Sequence, residues 1–118
     1  MVKITKLDDI QIYKESLRLT QSIFDLCKNP VLRKEFSLCN QIKRASISIC
    51  ANIAEGFGRN SKRDFAQFLS VALGSCNETI ALLDVIQLNF PRIKTELIKD
   101  DYQILSKRIF SFRKHLLS

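Results

Sequence analysis

Three cations within five residues, Arg59, Lys62 and Arg63, are the side chains of this 118-residue chain best suited to bind phosphate. They flank Ser61, the expected start of a helix, where free backbone N–H groups and the positive end of the helix dipole favour an anion. The same dipole disfavours cations, so Lys62 and Arg63 stand against a structural preference. Phosphate binding to RNA or DNA supplies a reason for them. The ordinary alternative is a solvated turn whose charge Asp64 offsets.

A second set of polar residues recurs at steps of three and four: Gln41, Arg44, Ser48, Asn52, Glu55 and Arg59 form one stripe of a helix, with Glu78 a further acid on the next. Serine and asparagine are poor formers of helix interiors, so these side chains either face water or are satisfied by hydrogen bonds. The stripe reads as a hydrogen-bonded seam that fixes helix register or subunit orientation, or as a polar surface that contacts a ligand.

Catalysis has little to build on. Glu55, Asp64 and Glu78 have no histidine, nucleophile or metal set near them in sequence, and the single histidine is His115. Gly56-Phe57-Gly58 has no preceding strand and no following GK[ST], so it reads as a helix terminus with Phe57 stapled over the bundle end, not as a nucleotide loop. Cys27, Cys39, Cys50 and Cys76 show no CxxC spacing and fall on apolar helix positions, which predicts buried free thiols. No cofactor or metal is expected.

The elements that position these residues follow from apolar periodicity. Ile10, Tyr13, Leu17, Thr20, Phe24 and Cys27 predict a first helix over about 9–28, capped by Asp8 or Asp9 and ended by Asn29-Pro30. Ile12, Leu19, Ile23 and Leu26 form a second stripe on it. Helix two, about 35–55, carries Ile42, Ser46, Ile49 and Ile53 on one stripe and Ile47, Cys50, Ala51 and Ala54 on another. Two such stripes predict burial on two faces. Gly56 and Gly58 are expected to stop it, and Ser61 with Asp64 to start helix three. Phe65, Leu69, Ala72, Cys76, Thr79, Leu83, Ile86 and Phe90 then alternate steps of four and three over 61–90. Ile98, Tyr102, Leu105, Ile109, Phe112 and Leu116 repeat the pattern over about 92–117, in a helix that starts between about 92 and 99. Steps averaging 3.5 residues predict an all-α, antiparallel, up-down-up-down four-helix bundle with left-handed packing, in a single domain over residues 1–118.

QIKRASISICANIAEGFGR (41–59) followed by SKRDFAQFLSVALGSCNE (61–78) resembles the signature of the bacterial four helix bundle proteins encoded within intervening sequences of large-subunit ribosomal RNA genes. The accessory proteins of diversity-generating retroelements are related to them. The resemblance implies a small helical protomer, a ring-shaped homo-oligomer of five subunits, a role near RNA or reverse transcription, and no enzymatic activity. Cys50 stands where that family usually has proline, which implies a straighter helix. Ile80 stands where it often has a second glutamate, which leaves Glu78 without an acidic companion.

The composition, 46% hydrophobic and 26% charged, suits one globular core, and the net charge of +7 suits an acidic partner. Net charge does not choose an end of the bundle. Lys3, Lys6, Arg59, Lys62, Arg63, Arg113 and Lys114 face Asp8, Asp9, Glu55 and Asp64 at one end; Lys28, Arg33, Lys34, Arg92 and Lys94 face Glu35 and Glu96 at the other. Arg113 and Lys114 are explained by the carbonyl end of the last helix dipole. No uninterrupted apolar run approaches the roughly 20 residues of a membrane span, which predicts a cytoplasmic protein with no membrane partner. The expected function is a non-enzymatic homo-oligomer that binds RNA or a ribonucleoprotein, or a nucleic-acid-processing protein. The competing expectation is a structural or protein-interaction module with no nucleic-acid role.

Overall fold

A computed structural model describes residues 7 and 10–118. Helix α1 spans Gln11–Leu26, α2 Phe36–Phe57, α3 Lys62–Asn89 and α4 Glu96–Leu117, with a short 3-10 turn at Leu32–Lys34; no strand occurs among the described residues. Each helix packs on its neighbours in the cycle α1, α2, α3, α4, α1. Side-chain pairs give the directions. Thr20 and Phe24 of α1 meet Ser46 and Lys43 of α2, respectively. Gly56 of α2 meets Phe65 and Phe68 of α3, and Ser48 meets Ser75. Asp84 and Ser70 of α3 meet Lys99 and Arg113 of α4. In each pair of helices the numbers run in opposite senses, so successive helices are antiparallel.

The core is the set of 3.5-residue seams read from the sequence. Leu69, Ala72, Cys76, Thr79, Leu83 and Ile86 of α3 are buried against Tyr102, Leu105 and Ile109 of α4 and Ile42, Ile49 and Ile53 of α2. α1 differs from expectation. Its buried row is Ile12, Ser16, Leu19 and Ile23, whereas Leu17 of the predicted seam is 45% exposed. The reason is that α1 touches both α2 and α4, so the row between those two neighbours is the one buried. Ser16 tolerates burial by donating its hydroxyl proton to the Tyr13 carbonyl, 2.7 Å away. Leu82, which lies off the predicted seam of α3, is also buried.

Several helix ends depart from the sequence reading for local reasons. Asp8 and Asp9 lie outside the described residues, as do Lys3 and Lys6, and Ile10 occupies the cap position of α1. Beyond α1, Asn29 accepts bonds from the backbone N–H groups of Val31 and Leu32 at 2.9 and 3.2 Å, which turns the chain. Gly56 does not end α2. It is helical and buried, and a Cβ there would lie 2.7 Å from Phe65 Cδ1 and 2.8 Å from Phe68 Cβ. Its missing side chain lets α2 and α3 approach. Gly58 caps the helix at φ −77°, so neither glycine uses a left-handed conformation. α4 begins at Glu96, inside the expected interval of about 92–99. Residues 91–95 before it are held by Thr95, whose N–H donates to Gln87 Oε1 at 2.9 Å and whose hydroxyl donates to the Leu83 carbonyl at 3.2 Å.

α3 is long and apolar enough, by length and composition, to cross a membrane, with a mean hydropathy of 1.4 over an 18-residue window. Serine, asparagine and threonine interrupt its apolar residues, so no uninterrupted run marks it in the sequence. The seam of this helix is packed inside the bundle, which accounts for the same composition.

Candidate anion-binding turn and polar groove

The α2–α3 turn, residues 58–61, is built by its flanking caps. Ser61 adopts the extended conformation and its Oγ accepts a bond from the Asp64 N–H at 3.1 Å, as its sequence position predicts. Phe57 packs edge-on against Phe65, with ring centroids 6.3 Å apart, and Phe65 against Phe112 at 5.6 Å. This aromatic row closes the end of the core, so Phe57 is a staple.

The three cations of the turn are not equivalent. Arg59 Nη2 donates to Glu55 Oε1 at 2.7 Å, and its guanidinium lies 4.7 Å from the centroid of the Phe68 ring. Lys62 and Arg63 are exposed in the first turn of α3, and neither forms an ion pair among the described residues. Lys114 lies in the last turn of α4, as read from the sequence, and Arg113 falls one residue short of it. The Nε of Arg113 donates to Ser70 Oγ at 2.8 Å and to the Ala66 carbonyl at 3.1 Å, which ties α4 to α3.

The polar stripe of α2 divides into three parts. Gln41, Arg44 and Ser48, with Glu78 from α3, line an open groove of about 530 Å³ together with Ser37 and Asn40. Asn52 points back along its own helix and donates to the carbonyl and hydroxyl oxygens of Ser48 at 2.7 and 3.0 Å. Ser75 of α3 donates to the same hydroxyl at 2.8 Å. Ser48 therefore joins a hydrogen-bonded seam to an open groove. Glu55 belongs to neither, being paired with Arg59. Sequence reasoning missed Ser75 and Phe68; Ser75 was legible only as the small polar residue beside Cys76 on the seam of α3.

The thiols are poorly placed for chemistry. Cys27, Cys39 and Cys76 are buried and Cys50 partly so, all of them free. Burial pushes Cys76 up to about 12. Burial, with Cys39 alongside, raises Cys27 to about 12 as well. No group of three or more His, Cys, Asp or Glu residues is arranged to hold a metal among the described residues. At the centre of the bundle the Tyr102 hydroxyl is buried with no hydrogen-bond partner, and burial holds its proton on well above the usual range.

The fold is that of a small four-helix bundle protein, with a basic turn at one end and a polar groove along α2 and α3. The chain belongs to the 23S rRNA-intervening sequence protein family, whose model matches residues 8–115. Among solved structures it is similar to a protein of unknown function from the S23 ribosomal protein family of Bacteroides thetaiotaomicron. That protein has 30% sequence identity and a TM-score of 0.78, and the match covers 87% of this chain and 98% of that one. No curated protein matches the chain. Neither family description names a reaction.

Proposed function

We propose that this protein is a non-enzymatic, self-associating bundle that binds RNA or a ribonucleoprotein through the α2–α3 turn. The observation that carries the reading is the pair Lys62 and Arg63, exposed in the first turn of a 28-residue helix whose dipole opposes them. An incoming phosphate reverses that penalty by adding negative charge where the N–H groups point. The family name, which refers to an intervening sequence of ribosomal RNA, favours RNA as the source of the phosphate.

Self-association is supported by a second heptad row on α3. Val71, Gly74, Glu78, Ala81, Val85 and Leu88 alternate steps of three and four like the core seam, yet all are exposed. Ile47 and Ala51 are exposed on α2. Such a row suits a helix of another copy. A ring of five, as the family resemblance implies, would repeat the basic turn and multiply a weak interaction through avidity.

The test is RNA binding by fluorescence anisotropy across a salt series. Replacing Lys62 and Arg63 by alanine should weaken binding and flatten the salt slope by about one unit for each phosphate no longer neutralised. Arg59→Ala should have a smaller effect on binding, because Glu55 already occupies that guanidinium. The reading fails if the wild type ignores RNA at low salt, or if the double variant keeps both affinity and slope.

A further inference from the structure

The side of the bundle where α3 meets α4 carries the basic turn onward into a second groove. Lys62 stands one turn before Ala66 and Arg63 two turns before Ser70, and these are the two residues that Arg113 of α4 binds. Both cations therefore lie on the side of α3 that faces α4. Further along, Leu73 and Asn77 of α3 with Ser106, Lys107, Phe110 and Ser111 of α4 line an open groove of about 590 Å³. Lys107, Phe110 and Lys114 are three and four residues apart, so they form one stripe of α4 with the ring between two lysines. All three are exposed, Phe110 by 58%, and neither lysine forms an ion pair among the described residues. Ten residues of helix, about 15 Å, separate Arg63 from Leu73, so this tract occupies the half of the molecule nearest the turn.

The chemistry of the tract selects its occupant. Apart from Asp64 in the turn itself, the acids of α3 and α4 stand elsewhere. Glu78 lines the groove against α2, Asp84 pairs with Lys99, and Glu96, Asp100 and Asp101 lie in the first two turns of α4, at the other end of the bundle. A second copy approaching by this face would bring lysines against lysines, which opposes docking. Neither Leu73 nor Asn77 belongs to the row of α3 assigned to self-association. An acidic peptide would satisfy the cations, but its apolar anchors need enclosed sockets, and this groove is open and offers Leu73 as its one aliphatic wall. Its amide and hydroxyl walls, Asn77, Ser106 and Ser111, can instead donate to and accept from base edges. An exposed ring flanked by cations is a platform for a base between two phosphate contacts. In a duplex the faces of the bases are covered by their neighbours, so the ring favours a single strand.

We propose that the RNA held at the α2–α3 turn is single-stranded and runs on along α3 and α4, with one base stacked on Phe110 and phosphates on Lys107 and Lys114. This rests on RNA binding at the turn and adds the form of RNA bound and the path it takes.

The test measures fluorescence anisotropy of the full-length protein with a labelled single-stranded RNA of about 12 nucleotides and with a duplex of the same length. Phe110→Ser should lower affinity for the single strand about tenfold with the salt slope unchanged, and should leave affinity for the duplex as it is. Phe110→Tyr should bind as wild type and Phe110→Leu as weakly as Phe110→Ser, because only a ring can stack. Lys107→Ala with Lys114→Ala should flatten the salt slope. Phe36→Ser, which alters a still more exposed ring at the other end of the bundle, should change nothing. These side chains are exposed, so helicity by circular dichroism should be unchanged. If Lys62→Ala with Arg63→Ala weakens binding while Phe110→Ser and Phe110→Leu bind the single strand as wild type does, the path along α4 is overturned and binding at the turn stands. A wild type that ignores RNA at low salt removes both. A loss of native mass on Phe110→Ser would name a second copy as the occupant of this face. Tighter binding to a peptide of alternating glutamate and leucine, lost in Phe110→Ser, would name an acidic protein segment, and either result overturns the proposal.

Discussion

Tyr102 brings a hydroxyl to the centre of the core and leaves it without a partner, while Thr20 nearby commits its own proton to the carbonyl of Ser16 at 2.7 Å. An unmatched buried donor costs the free energy of its lost hydration, so Tyr102→Phe should leave stability unchanged or raise it by about 1 kcal/mol in urea unfolding. A decrease of more than that would show that the hydroxyl is bonded after all. The thiols give a prediction of opposite character. Cys27 and Cys76 hold their protons to about 12 in the folded protein, against 9.0 for an unperturbed thiol. Their contribution to stability is fully present below pH 9 and is lost as pH rises toward 12, because the unfolded chain ionises first. The urea midpoint should fall between about pH 9 and 11, and replacing both cysteines with alanine should flatten that fall. Over the same range Cys50, only partly buried, should be alkylated before the others.

Two glycines lie within helices and should respond in opposite ways to one added methyl group. At Gly56 the methyl would collide with Phe65 and with the Cβ of Phe68, so Gly56→Ala should destabilise the protomer by about 1–3 kcal/mol despite alanine's better helix propensity. At Gly74 it would meet nothing within 4 Å, so Gly74→Ala should stabilise the isolated protomer by about 0.5–1 kcal/mol. If the exposed row on α3 is where copies meet, that same substitution should weaken assembly, a divergence that thermal unfolding and native mass would reveal together. Gly56 also marks the limit of what the sequence conveys. The seams of α3 and α4 were legible because each side chain repeats at 3.5 residues. The glycine looked like a helix stop because its real constraint, two phenylalanines arriving from α3, is tertiary. The row that α1 buries was misread for a related reason. Two apolar stripes lie side by side on it, and only packing against both α2 and α4 decides which is central. The sequence bracketed the start of α4 only to about 92–99, because it depends on Thr95 bonding to Gln87 and Leu83, which no local pattern announces. Among the candidate site residues, the sequence placed Lys62 and Arg63 correctly at a helix start. It could not foresee that Arg59 is engaged by Glu55 and Phe68, or that the polar stripe divides at Ser48.

At the scale of the whole molecule, the protomer should not remain single. Val71, Ile47 and Val85 are between 42 and 52% exposed, a cost in apolar surface that a second copy would remove. Native mass spectrometry at micromolar concentration should therefore report an oligomer, and Val71→Glu with Val85→Glu should reduce it to a folded monomer. A monomeric wild type would refute self-association while leaving the RNA prediction standing. The described chain measures 44 by 22 by 19 Å, and its α2–α3 turn and its α3–α4 connection lie at opposite ends of the bundle. In physiological salt the potential of a charge decays over about 8–10 Å, so that length spans several decay distances. A strongly anionic body held at the basic turn would be nearly unfelt at the far tip. The length of the rod would then insulate whatever the far end does from the charge of a nucleic acid bound at the turn.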